Sequence, residues 1–131
     1  MHLDSKEFEL LVKRAYETGL PEKFRKELDN VSIGIEYIPP SDVKVARGST
    51  LLGLFEGVPK TATHSMFRGT PLSKITLFEK NILASARNLR ELEKLILEVL
   101  LHEVAHYFGY NEEQMVYMDA KLRKKLDGKS G

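Results

Sequence analysis

The segment from Asn88 to Gly109 constrains the fold more than any other part of the chain. Asn88 is placed to cap a helix, and Glu91, three residues on, completes a capping box by returning the bond. From Leu89 to Phe108 (LRELEKLILEVLLHEVAHYF) apolar residues occupy nearly every side of the expected helix. A surface helix shows one apolar stripe, so a helix apolar all round belongs in the middle of the fold. Gly109 supplies the left-handed residue that ends it.

In the second half of that helix, after Glu98, three polar residues interrupt the apolar surface: His102, Glu103 and His106. Residues four apart on a helix share a face, so both imidazoles can reach one ion. Glu103 is turned by roughly 100° from His102. It therefore stands beside the metal, where it takes a proton from a water instead of ligating. Buried without partners, such groups cost several kcal/mol, and a metal with its water satisfies them together. The chain has no cysteine, so any metal is held by nitrogen and oxygen.

Two histidines do not complete a catalytic zinc site, which takes a third protein ligand. The turn at Gly109 folds the chain back, and Glu112, three residues on, falls where HExxHxxGxxH carries its third ligand. Glu112 is the first choice. An acid in the first turn of a helix is also favoured by the helix dipole alone, so Glu113 and Asp119 stay open as rivals. Asp119 lies about 10 Å further along the same helix than Glu112. Glu98, one turn before His102, is a candidate to orient that ring, and Tyr107, Tyr110 and His64 are candidate oxyanion donors. An ordinary packing or loop role accounts better for the three donors, and a solvated charge accounts better for Glu98. Met115 and Met118 are candidates to lie beneath the site, and core packing of the last helix explains them equally well.

The remaining pattern is that of a small mixed fold. Phe8, Leu11, Val12 and Ala15 recur at helical spacing before Gly19 and Pro21, giving two short N-terminal helices. VSIGIEYI alternates, with Val31, Ile33, Ile35 and Tyr37 on one face, until Pro39 and Pro40 end the strand. Further short strands are expected at LLGLFE and KITLFE. KITLFE is a candidate to border the cleft and pair with an extended substrate, the sequence leaving open which strand is an edge. The stretch from Gly57 to Ser73 has no period and is a candidate flap. Asn111 and Gln114 cap a final helix with the basic end KLRKK. The expected fold is α+β, with a mixed sheet of three or four strands packed against a central helix that carries HExxH.

A length of 131 residues suits one domain, 1–131, with one core. With 20 Lys and Arg against 19 Asp and Glu, there is no net electrostatic pull toward nucleic acid or anionic membrane. The opening MHLDSKEFEL carries acids and no unbroken apolar run, so neither a signal peptide nor a membrane span is expected there. A cytoplasmic setting follows as the expectation.

LLGLFEGVP, then PLSKITLFEKNI, then LLHEVAHYFGYNEE resemble, in that order, the minimal zincin-type metallopeptidases, whose signature is HExxHxxGxxD or similar. The resemblance covers roughly residues 30 to 118. It implies a zincin-like α+β fold, a zinc ion and peptidase activity on peptides or unfolded protein segments. His102 and His106 match the ligands and Glu103 the general base, while Glu112 stands where the family more often has Asp. Two other functions stay open: a metal-binding or adaptor protein with little hydrolysis, and a metal-dependent endoribonuclease. Charge balance and the missing third histidine oppose the last.

Overall fold

The computed structural model describes residues 2–43, 51–57 and 73–109, together with Glu113. Helix α1 (Ser5–Arg14) opens where the Asp4 side chain accepts from the Lys6 amide, and it buries Phe8 and Val12. A π-helical turn, Ala15–Gly19, extends it, and the short α2 (Glu22–Arg25) follows Pro21. Gly19 and Pro21 thus act as the expected stop and restart. Gly19 also sits close to the central helix, where a Cβ would lie 2.7 Å from Leu97 Cδ1.

Strands β1 (Val31–Glu36), β2 (Gly53–Gly57) and β3 (Ser73–Phe78) form a mixed sheet in the order β1-β3-β2. β1 runs parallel to β3, and β2 runs antiparallel to it. The registers are set by Val31 opposite Ser73 on one side and Gly53 opposite Leu77 on the other. β3 is consequently the central strand, paired along both edges. That rules it out as the strand that pairs with an extended substrate, because its backbone donors and acceptors are already used by β1 and β2.

Two further expectations change. Tyr37 was expected on the inner face of β1, but the strand ends at Glu36 and Tyr37 is 61% exposed. Its carbonyl accepts from the Lys80 amide instead, and the Lys80 ammonium lies 6.0 Å from its ring. The strand at KITLFE stops at Phe78, and Glu79 opens a six-residue helix, α3 (Glu79–Ala84), that the sequence pattern did not announce. Asn81 anchors it by donating to the Leu51 carbonyl at 2.8 Å.

Helix α4 (Leu89–Tyr107) runs against the sheet and the π-helical turn, and most of its apolar side chains are buried. Leu92, Ile96, Leu100 and Val104 are fully enclosed, with Ile75, Leu77 and Phe8 among their companions in the core. Each such side chain contributes roughly 1.5–3 kcal/mol through burial. The Asn88 side chain accepts from the Glu91 amide at 2.9 Å, as expected. Glu91 does not close the box on Asn88, however: it accepts from the Arg87 amide at 2.9 Å and pairs with the Arg87 guanidinium. The carboxylate therefore ties down the preceding residue with a charge-assisted pair in the same reach. Gly109 ends the helix at φ 77°, the left-handed value foreseen. Among the described residues, no helix is long and apolar enough to cross a membrane.

Candidate metal centre

His102, Glu103 and His106 lie in the last turns of α4, where backbone geometry is fixed by hydrogen bonds on both sides of each residue. One ligand atom from each residue lies within 4.8 Å of the others. The two imidazoles have centroids 5.0 Å apart and planes inclined at 76°. Both rings are half-buried, so they are held by the protein yet open to a ligand. Two neutral imidazole nitrogens suit zinc and other borderline divalent ions, and the adjacent Glu103 carboxylate is placed to meet a water on such an ion, so the residues present fit such a metal.

Glu103 is buried, at 6% exposure, against β2. Burial pushes its carboxyl up to about 7, while the neighbouring His102 and a hydrogen bond from the Phe55 backbone amide act in the opposite direction. That amide is free to reach Glu103 because of the strand register. The Phe78 amide donates to the Leu52 carbonyl, so Leu52, Leu54 and Glu56 turn their backbone groups toward β3. Those of Gly53, Phe55 and Gly57 consequently face away from it.

The face of β2 toward α4 is set by a glycine. A Cβ on Gly53 would lie 2.7 Å from Val99 Cγ1, 3.3 Å from Glu103 Cγ and 3.3 Å from the Thr76 carbonyl oxygen. Only a residue without a side chain lets the strand approach the helix here. Two positions along β2 on the same face, Phe55 meets the Tyr107 ring at a centroid distance of 6.1 Å. This places Tyr107 in the core at 4% exposure, which accounts for it as a packing residue. Gly53 falls inside the strand expected at LLGLFE, and nothing in a single sequence marks it as a close helix contact.

Among the described residues, no other histidine or acid joins His102, Glu103 and His106. Glu113 is exposed and apart from the cluster. Glu112 and Asp119 lie outside the described residues, as do His64, Tyr110, Gln114, Met115, Met118 and most of the stretch expected to form a flap.

A mixed three-stranded sheet backed by a helix that presents two histidines and a buried glutamate one turn apart defines a zincin-like metal-site protein. Comparison with known families agrees: the zincin-like metallopeptidase family matches residues 28–122, and the chain belongs to that family. A solved structure of a conserved hypothetical protein from Thermo thermophilus is similar, with a TM-score of 0.53 and 25% sequence identity. The similarity covers 81% of this chain and 94% of that one. No curated protein matches the chain.

Proposed function

We propose that the chain is a zinc-dependent peptidase in which His102 and His106 hold the metal, Glu112 completes the ligand set and Glu103 is the general base. The observation that carries this is the convergence of two imidazoles and a buried carboxylate within 4.8 Å on a helix otherwise devoted to the core. When bound, zinc supplies a Lewis acid that polarises a carbonyl and makes water more acidic.

The chain's own groups do the rest. Glu103 takes a proton from water as the water oxygen adds to the peptide carbonyl carbon. The carboxylate form that does this is favoured by positive charge beside it. As the C–N bond breaks, Glu103 passes the proton to the departing nitrogen, which leaves as an amine. The Phe55 amide orients the carboxylate between these steps. Among the described residues no strand pairs with the outer edge of β2, which leaves the outward groups of Gly53 and Gly57 for an extended peptide beside Glu103, the Phe55 amide being taken by the carboxylate.

The test is incubation of zinc-loaded protein with a peptide library, alongside Glu103→Gln. Cleavage by the first and its loss by about 10²–10⁴-fold in the second, with zinc retained, is the expected result. Absence of turnover with zinc bound would instead make the chain a metal-binding protein of this fold.

A further inference from the structure

The second open edge of the sheet lies on β1, away from β2 and its Glu103 contact. The Ser73 amide donates to the Asn30 carbonyl, which fixes the parallel ladder so that Asn30, Ser32, Gly34 and Glu36 face β3. The backbone groups of Ile33 and Ile35 therefore face outward, and among the described residues no strand pairs with them. An unpaired strand edge is a template for another extended chain.

This edge does not stand bare in solvent. It forms one wall of a groove of about 650 Å³ whose other wall is α1. The helical wall presents Glu9, Val12 and Lys13 from α1 and Tyr16 from the π-helical turn, and the strand wall presents Val31, Ile33 and Ile35. One end of the groove is charged: Glu79 lines it and is only 6% exposed, with Oε2 accepting from the Ser5 hydroxyl at 2.8 Å. Ion burial of this kind is costly unless the carboxylate is satisfied, and one hydroxyl donor leaves acceptor capacity to spare.

We propose that this groove binds the amino-terminal end of an extended peptide, added antiparallel to β1 with its α-ammonium at Glu79. The direction follows from topology. Glu36, the last residue of β1, lies opposite Phe78, so Glu79 stands at the C-terminal end of β1. An antiparallel partner brings its own N-terminus to that end, and antiparallel pairing is the more stable of the two. The main-chain groups of Ile33 and Ile35 hold the peptide backbone, the apolar wall takes alternate side chains, and Glu79 with Glu9 nearby recognises the ammonium. The groove is separate from the His102–Glu103–His106 cluster and does not rest on the hydrolytic reading.

The experiment uses the full chain carrying Glu103→Gln, so that hydrolysis cannot remove the probe. An alternating valine–threonine pentapeptide with a free amino terminus and a C-terminal fluorophore is titrated by fluorescence polarisation, with amide chemical shifts followed in parallel. Saturable binding is expected, weakened by about tenfold or more by N-acetylation of the peptide and equally by Glu79→Gln. The Ile33 and Ile35 amides should shift. Equal affinity of the acetylated peptide, no saturable binding, or shifts confined to β2 and α4 would each overturn the proposal.

Discussion

The backbone amide of Phe55 donates to the Glu103 carboxylate, so the edge strand and the helix of the candidate metal site are joined through the residue proposed as the general base. A neutral donor holds an acid that burial has raised to about 7. The consequence for stability has a definite sign. In the unfolded chain this carboxyl titrates near 4.5, so between 4.5 and about 7 the folded protein holds a proton that the unfolded chain has lost. The associated stability is fully present below 4.5 and is lost as pH rises through 7.

Metal-free protein should therefore weaken by up to ~3 kcal/mol across that window from this group alone. Glu103→Gln, which keeps the shape of the protonated acid, removes the dependence. Urea denaturation after chelation, at about pH 5 and about pH 8, reads it directly. The variant should exceed the parent at the higher pH and match it at the lower. A parent whose midpoint rises with pH over this range would contradict the assignment.

Gly53→Ala tests the approach of β2 to α4. The new methyl meets Val99 Cγ1 at 2.7 Å, and relief requires the strand or Val99 to move. Overpacking of this kind costs about 1–3 kcal/mol. Because Phe55 is carried on the same strand, peptide cleavage should fall as well. Adding Val99→Ala removes the clashing atom, so the double variant should recover part of the activity, and thermal melts with initial rates measure both effects.

Asn88→Ala removes the acceptor that satisfies the Glu91 amide at the start of α4. The expected loss is about 1 kcal/mol, visible as a lower denaturation midpoint. Cleavage rate at a temperature well below that midpoint should not change, since the cap stands at the far end of the helix from His102.

What the sequence made legible was local. The helix of the metal site follows from a cap, an apolar run and a terminal glycine, and His102, Glu103 and His106 share a turn by helix geometry alone. The order of the strands is not local. LLGLFE and KITLFE carry similar apolar content, and only the packing of β1 against β3 decides that the second is central. For the same reason the role of Gly53 stayed hidden, since its bare Cα admits Val99 and Glu103 from a distant helix. α3 was hidden because Phe78 and Ile82 continue the apolar run of β3 across the change from strand to helix. Glu91 turned to Arg87 because a guanidinium offers a carboxylate more than a single amide can.

The central claim is that His102 and His106 converge on one metal ion. Elemental analysis after zinc loading and desalting tests it most directly, on the parent chain, His102→Ala and His106→Ala. The account predicts about one zinc per chain in the parent and loss of the metal in each variant. A parent that stays empty in ample zinc, or variants that keep their full complement, would contradict it.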